Sequence, residues 1–185
     1  MRVVAGRHRS RRLVAPSGAT VRPTSDRARE ALFNILSTGG FPLVGENVLD
    51  AFAGTGAVGI EALSRGAARA AFIETDRTAL AALRRNLAAL DEEDNADVIA
   101  GDATRPPRAP YPCAFAFLDP PYRSGLAAAA LSALSSMGWF APRALAVVEV
   151  AAGETFAPPA GFAAIDERRY GAARLVFLRR EGGKG

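Results

Sequence analysis

The chain has 185 residues, with 23 basic and 19 acidic side chains and a formal net charge of +4. This length favours one domain, and a hydrophobic share of 49% is enough to build its core. The single cysteine excludes an internal disulfide framework. The single histidine leaves almost no residues from which to build a histidine metal site or a Ser-His-Asp triad. There is no apolar run of membrane-spanning length and no signal peptide pattern. We expect a soluble protein of the reducing cytoplasm.

Positive charge is concentrated at the N-terminus. Residues 1–25 carry six arginines and no acid, so the rest of the chain is slightly acidic. Most of these arginines fall in the run 6–12, beside His8. The planar guanidinium of arginine binds phosphate through two hydrogen bonds and stacks on bases. The run therefore favours a nucleic-acid-binding arm, with a solvated basic tail as the alternative.

The first elements surround this basic run. Short apolar segments at 3–5 and 13–15 predict a β-hairpin with the arginines at its turn. Residues 23–25 then offer an N-cap for a helix that passes through Leu32 and Leu36, and Gly39 marks its end.

From residue 47 to residue 150, strand and helix patterns alternate. This predicts a parallel sheet covered on both faces. The acidic segment 91–94 is interpreted as solvated surface, and two final strands near 162–165 and 175–178, separated by a turn around Gly171, predict a terminal antiparallel hairpin. The other predicted strands are 48–52, 70–74, 98–100, 114–118 and 145–150, and the helices are 57–65, 78–90 and 126–137.

Ligands of such sheets bind at the carboxyl ends of the strands. After the first strand, Gly54, Gly56 and Gly59 form a GxGxxG motif, which permits a tight turn and close approach of a ligand. A dinucleotide, a phosphate or a nucleoside would all suit this loop, and a plain packed turn is the alternative. Asp50, just ahead of the loop, would repel a pyrophosphate and attract a cationic amine. It therefore favours S-adenosylmethionine over NAD.

Acids also end the second and third strands. Glu74 follows Gly54 by 20 residues and can accept both hydroxyls of a ribose, which suits NAD and S-adenosylmethionine alike. Asp76 is interpreted as the N-cap of the next helix. Asp102 is predicted to accept a hydrogen bond from an adenine amino group, and a role in the local turn is the alternative.

The fourth strand ends in Asp119-Pro120-Pro121-Tyr122. The two prolines remove two N–H donors and stiffen the turn, so it presents the Asp119 carboxylate and the Pro120 carbonyl as acceptors. These acceptors suit an exocyclic amine of a nucleobase, with the Tyr122 ring stacked on the base. Their attraction for the amine grows as methylation makes its nitrogen positive. A plain turn is again the alternative.

This motif resembles that of the methyltransferases that act on exocyclic nitrogens of adenine, cytosine or guanine. The segments MRVVAGRHRSRRL (1–13), RPTSDRAREALFN (22–34) and LDAFAGTG (49–56) further resemble the bacterial 16S ribosomal RNA guanine-N2 methyltransferases of the RsmD type. The resemblance extends to about residue 180. It implies an α/β fold, a Rossmann-like class I methyltransferase sheet of seven strands. The sheet would be mostly parallel with a terminal antiparallel hairpin, and an N-terminal basic β-hairpin would precede it.

The resemblance also implies a reaction: methyl transfer from S-adenosylmethionine to guanine N2 of 16S ribosomal RNA, free or in a 30S assembly particle. No metal and no membrane are expected, and the chain is expected to act as a monomer. The implied organisation is a basic hairpin at 1–22, a methyltransferase domain at 23–180 and a flexible tail at 181–185.

Three groups of site residues follow from the motifs and the resemblance. The predicted catalytic residues are Asp119, Pro120 and Tyr122. The predicted cofactor-binding residues are Asp50, Phe52, Gly54, Gly56, Glu74 and Asp102, and the resemblance adds Thr24, Arg27, Phe33 and Asn34, because in the family the Arg-Pro-Thr segment helps to close the cofactor pocket. The resemblance implies that the basic hairpin faces RNA through Arg7, His8, Arg9, Arg11 and Arg12.

Three other functions remain open at this stage. Another RNA or DNA amino-methyltransferase would share the Asp-Pro-Pro-Tyr core. An NAD oxidoreductase would share the glycine loop but would leave that core unexplained and without a substrate domain. An RNA-binding module without activity would keep the basic arm.

Overall fold

The computed structural model describes residues 1–15, 26–41 and 43–182. The helices are α1 (Asp26–Thr38), α2 (Ala57–Ser64), α3 (Arg77–Ala89) and α4 (Leu126–Ser136), with a short 3-10 helix at Glu93–Asn95. The strands are β1 (Asn47–Ala51), β2 (Arg69–Glu74), β3 (Ala96–Ala100), β4 (Cys113–Leu118), β5 (Phe140–Ala151), β6 (Phe162–Tyr170) and β7 (Ala173–Arg180). No helix among the described residues is long and apolar enough to cross a bilayer.

All seven strands form one sheet, in the order β3-β2-β1-β4-β5-β7-β6. Strands β1 to β5 are parallel, and β7 runs antiparallel to both β5 and β6. The predicted parallel sheet with a terminal antiparallel hairpin is confirmed. The hairpin's second strand, β7, takes the place next to β5, so β6 forms the outer edge.

The sheet separates two apolar cores. One contains buried side chains of α1, α2 and α3, with Phe115 and Phe117 of β4, and the other contains those of α4 with Ala116 and Leu118. Alternate side chains of a strand point to opposite faces, so β4 supplies both cores. This is why the central strands are almost wholly apolar in sequence.

Two strands, β5 and β6, extend furthest beyond their predicted bounds. β5 starts at Phe140, which pairs with Cys113 of β4. The next pair joins Leu145 to Phe115, so β5 advances by five residues while β4 advances by two. Pro142 and Arg143, which has a φ of 59°, lie in this irregular stretch, and there the apolar pattern is lost. β6 continues to Tyr170 through exposed charged residues, because an edge strand needs no apolar face.

The N-terminal hairpin is confirmed, with the basic run at its turn. Arg2 pairs with Arg12 across an antiparallel bridge, and the Ser10 N–H donates to the Val3 carbonyl at 2.9 Å. Val3 and Leu13 are buried in the core on the α1–α3 side. The predicted domain boundary at residue 22 lies outside the described residues, and β7 ends at Arg180, where the second domain is predicted to end.

A buried carboxylate attaches this hairpin to the domain. The Glu61 side chain of α2 accepts from the N–H groups of Val4 and Ala5 at 2.8 and 2.9 Å and from Arg65 Nε at 2.8 Å. The buried Arg29 guanidinium lies 3.7 Å from Glu61 and donates to the Arg2 carbonyl at 2.5 Å. The hairpin backbone is therefore bound by groups that are themselves buried and charged.

The prediction that residues 91–94 are solvated surface is wrong for Glu92. This residue is 1% exposed and accepts from Arg7 Nε and Nη2 at 2.7 and 2.8 Å and from Asn95 at 2.9 Å. His8 Nε2 lies 2.5 Å from the same carboxylate. Burial raises the Glu92 pKa, but these hydrogen bonds outweigh it and lower the pKa overall. The acid is buried because its basic partners arrive from about 85 positions earlier in the chain.

We expect Glu61→Ala to destabilise the protein by about 3–5 kcal/mol, because the substitution leaves the Arg29 charge and two backbone N–H groups buried without this acceptor. Urea unfolding monitored by circular dichroism measures the change. Glu30→Ala, at an exposed position of α1, is the matched control and should shift the unfolding free energy by less than about 0.5 kcal/mol. An equal, small effect of both substitutions would contradict the attachment role of Glu61.

Candidate active site at the carboxyl ends of the strands

Four carboxylates lie at or near the carboxyl ends of neighbouring strands. In spatial order they are Glu74 of β2, Asp50 of β1, Asp119 just after β4, and Glu149 of β5. Each is two residues beyond a side chain of the α1–α3 core, namely Phe72, Val48, Phe117 and Val147. Side chains two apart on a strand share a face, so the sheet brings Glu74, Asp50 and Glu149 to one side, and Asp119 follows directly at the end of β4 between Asp50 and Glu149.

The three glycines of the loop serve different purposes. A Cβ on Gly56 would lie 2.2 Å from Leu83, and a Cβ on Gly59 would lie 2.3 Å from the Phe72 ring. Both positions therefore need glycine for helix packing. Gly54 has a φ of 54° and open space where its Cβ would be. Of the three, Gly54 is the position where a ligand can approach the backbone.

Asp50 is 3% exposed and accepts a hydrogen bond from the Gly59 N–H at 2.8 Å. Burial raises the pKa of this carboxyl to about 7, and the nearby charge of Glu74 acts in the same direction. Asp50 therefore takes up a proton near neutral pH. A cation placed beside it would favour its charged form.

Glu74 is held by the backbone around it. One carboxylate oxygen accepts from the Gly54 N–H at 2.7 Å, and the other accepts from the N–H groups of Thr75 and Asp76 at 2.7 and 2.8 Å. These bonds fix the carboxylate at the mouth of the glycine loop. The Asp76 side chain accepts from the first N–H groups of α3, which confirms its predicted N-cap role.

The acid that follows the third strand occupies a local turn. Asp102 is exposed and accepts from the N–H and the hydroxyl of Thr104, both at 2.8 Å. These bonds lower the pKa of Asp102. They are the bonds expected for a role in the local turn, which was the alternative to binding an adenine amino group.

The Asp-Pro-Pro-Tyr turn joins β4 to a buried acid of β5. The Asp119 N–H donates to the Ala51 carbonyl at 3.3 Å, which ties this turn to the end of β1. The Tyr122 hydroxyl donates to Glu149 Oε1 at 2.8 Å. Glu149 is 4% exposed. The sequence analysis missed this residue, although a single acid inside the apolar run of β5 was the available signal.

Other predicted cofactor residues lie apart from this row. Phe52 has a φ of 59° and packs on the α4 side of the sheet. Phe33 is buried beneath the Arg65 guanidinium at 4.8 Å, near the end of α2 remote from the glycine loop. Asn34 is exposed on α1. Thr24 and the side chain of Arg27 lie outside the described residues.

The basic turn lies at the opposite edge of the sheet. The Ser64 carbonyl accepts from the Arg7 N–H at 2.8 Å, and Ser64 ends α2, which begins at the glycine loop. The length of β1, about 13 Å, separates the two edges. Arg7 is bound to Glu92, and Arg11 donates to the last carbonyl of α3 at 2.5 Å. The exposed side chains Arg9 and Arg12 complete the turn.

A family model described as "Conserved hypothetical protein 95" matches residues 1–179. Ribosomal RNA small subunit methyltransferase D of Escherichia coli is 42% identical over 150 residues, which cover 80% of this chain and 74% of the relative. The chain belongs to this methyltransferase family. The protein of the same name from Haemophilus influenzae is 35% identical over 176 residues, covering 92% of this chain and 89% of the relative.

Solved structures agree with the methyltransferase family. An Escherichia coli protein, yhhF, named as a candidate methyltransferase, has a TM-score of 0.85 and 38% identity, covering 98% of both chains. Magnesium protoporphyrin IX methyltransferase of Synechocystis, solved with bound S-adenosylmethionine, has a TM-score of 0.63 at 16% identity, covering 84% of this chain and 79% of that one. The second likeness concerns the fold alone, which is the Rossmann-like fold of class I methyltransferases.

The Asp50 pKa predicts a pH effect on the stability of this family member. The folded state keeps the Asp50 proton up to about pH 7, whereas the unfolded chain loses it near pH 4. Raising the pH between these values therefore favours unfolding of the parent protein through this group, and Asp50→Asn removes the effect. We expect the variant to gain about 2 kcal/mol relative to the parent between pH 5 and pH 7. Urea titrations at each pH measure this difference.

Asp94→Asn, at an exposed position, is the control for that series. Its free-energy difference from the parent should stay constant over the same pH range. A constant difference for Asp50→Asn as well would contradict the raised pKa of Asp50.

Proposed function

We propose that this chain transfers a methyl group from S-adenosylmethionine to the exocyclic N2 of a guanine in 16S ribosomal RNA, free or within a 30S particle. The observation that carries the proposal is the position of the Asp119-Pro120-Pro121-Tyr122 turn, which is tied to the end of β1 beside the glycine loop. The relatives named as small-subunit ribosomal RNA methyltransferases support the RNA substrate.

The residues at the ends of β1 and β2 suit this cofactor. Glu74 presents a fixed carboxylate for the ribose hydroxyls, Gly54 leaves space at the loop, and Asp50 offers a charge partner to the cationic amine. When bound, S-adenosylmethionine supplies a methyl group on a positively charged sulfur. The other proposed cofactor residues are Phe52, Gly56 and Asp102, with Thr24, Arg27, Phe33 and Asn34 from the resemblance.

The end of β4 suits the target amine. The Asp119 carboxylate and the Pro120 carbonyl accept its two N–H bonds, and the Tyr122 ring stacks on the base. The carboxylate interaction strengthens as positive charge builds on the nitrogen, so it stabilises the transition state more than the bound substrate. The nitrogen loses its proton after the methyl group has been transferred. The target guanine must be single-stranded or flipped out of a helix to reach this position.

The basic turn and the proposed amine site would contact the RNA at opposite edges of the sheet. Arg9 and Arg12 project near the amino edge of the sheet, whereas Asp119 lies at the carboxyl edge. An RNA that touches both must span at least the length of the strands, about 13 Å.

Methyl transfer from tritium-labelled S-adenosylmethionine to 16S RNA, to assembled 30S particles and to DNA tests the function. We expect incorporation into RNA or particles at one guanine, located by mass spectrometry as N2-methylguanine. Incorporation into DNA alone, or at an adenine or cytosine, would contradict the proposal and favour another amino-methyltransferase.

In the same assay, Asp119→Ala should lower the single-turnover rate by about 10²–10³-fold, because one preorganised group that stabilises the transition state is lost. Cofactor affinity measured by calorimetry should stay within a few fold. Asp94→Ala, at an exposed position far from the turn, is the control and should keep the parent rate. A near-parent rate for Asp119→Ala would show that the active site lies elsewhere.

Arg9→Ala/Arg12→Ala tests the RNA contact of the basic turn. It spares Arg7, which binds Glu92, and Arg11, which binds the end of α3. Affinity for 16S RNA should fall, and the slope of log affinity against log salt should flatten by about 1–2. Cofactor affinity should not change. The control is Arg168→Ala/Arg169→Ala on the edge strand β6. If both double variants have the same salt slope as the parent, the turn is only solvated surface.

A further inference from the structure

Glu149 is an acid in an otherwise apolar environment. On its own face of the sheet its neighbours are Val147 of β5 and Leu175, its partner in β7; both are buried, and Glu149 itself is 4% exposed. A carboxylate in such a place costs free energy unless hydrogen-bond donors surround it. The Tyr122 hydroxyl is one such donor, at 2.8 Å. A buried apolar side chain would suit the sheet equally well, so the presence of an acid points to a role outside folding.

The sheet places this acid beside the target amine of the proposed reaction. Phe117 and Val147 are partners in the register of β4 and β5, and so are Leu118 and Val148. Glu149 and Asp119 are the next residues after this last pair, so the sheet places them at the same level of its carboxyl edge. The ring of Tyr122, proposed to stack on the base, ends in the hydroxyl that binds Glu149. A base whose amine is held at Asp119 therefore lies next to a second carboxylate.

The bases that carry an exocyclic amine differ at the neighbouring ring nitrogen. In guanine, N1 carries a hydrogen and is a donor, whereas N1 of adenine and N3 of cytosine are acceptors. An ionised carboxylate can only accept hydrogen bonds. A second carboxylate beside the amine site therefore suits guanine and opposes the other two bases.

We propose that Glu149 selects guanine by accepting a hydrogen bond from its N1–H while Asp119 accepts from N2. The Tyr122 hydroxyl holds the Glu149 carboxylate in the orientation that this requires. The proposal rests on the proposed methyl transfer to RNA and adds the residue that determines the base.

The test compares two RNA substrates in single-turnover assays. One carries the target guanine, and the other carries 2-aminopurine in its place, which keeps the amine at C2 but has an acceptor at N1. We expect the parent protein to prefer guanine by 10²-fold or more, since a site built to bind a donor discriminates strongly against its absence. In Glu149→Gln, whose amide can donate to that N1, we expect the preference to fall at least 10-fold.

Two further variants sharpen the comparison. Tyr122→Phe keeps the ring but removes the hydroxyl, and it should also reduce the preference for guanine. Glu154→Gln is the matched control, because it makes the same change of carboxylate to amide just after β5. The Glu154 carboxylate accepts from the backbone N–H groups of Arg123 and Ala151. The preference of Glu154→Gln should equal that of the parent. 2-Aminopurine also lacks the O6 atom of guanine, but this affects every variant alike and cancels in the comparison.

The outcomes separate the two proposals. If the parent methylates no guanine in RNA, the proposed function is wrong and the role of Glu149 falls with it. If the parent methylates guanine but Glu149→Gln keeps its full preference and its affinity for S-adenosylmethionine, then Glu149 does not select the base and the proposed function stands. If Glu149→Gln does not fold, the preference of Tyr122→Phe decides, and a parent-like value overturns the proposal.

Discussion

The parallel register of β2, β1, β4 and β5 is the constraint on which the site depends. Parallel strands end at the same edge, and side chains two residues apart share a face. Four acids that are spread over 100 positions of the chain, from Asp50 to Glu149, therefore meet near that edge. A shift of one residue in any of these strands would turn its acid toward α4 and would move its apolar side chains out of the core in which they pack. The two cores therefore hold the site in register.

Buried charge is the second feature that organises the molecule. Glu61 and Glu92 are covered by the N-terminal hairpin, and their donors are backbone N–H groups and basic side chains from that hairpin. Asp50 and Glu149 lie at the carboxyl edge of the sheet, and each accepts a hydrogen bond from a nearby group, the Gly59 N–H and the Tyr122 hydroxyl respectively. The first pair thus stabilises the position of the basic turn. The second pair leaves carboxylates where a cationic cofactor and a donor-rich base would bind in the proposed reaction.

The two ends of the domain have separate tasks in this scheme. The glycine loop and the Asp-Pro-Pro-Tyr turn lie at the carboxyl edge, where chemistry is proposed, and the arginine turn lies at the amino edge. In that turn, Arg7 and Arg11 contact Glu92 and α3, so part of a run that looks like free positive charge serves to fix the hairpin. The exposed Arg9 and Arg12 then remain for RNA in a defined place.

The sequence alone determined the order of elements, the parallel sheet with its antiparallel hairpin, the glycine loop and the Asp-Pro-Pro-Tyr turn. These follow from local periodicity, from turn residues and from motifs a few positions long. Only the tertiary structure decided that Glu92 is buried, that Gly56 and Gly59 serve packing, and that Glu149 binds the hydroxyl of Tyr122. Each of those properties depends on a partner tens of positions away in the chain, and burial and hydrogen bonding are set by what the fold brings together, which local patterns do not specify.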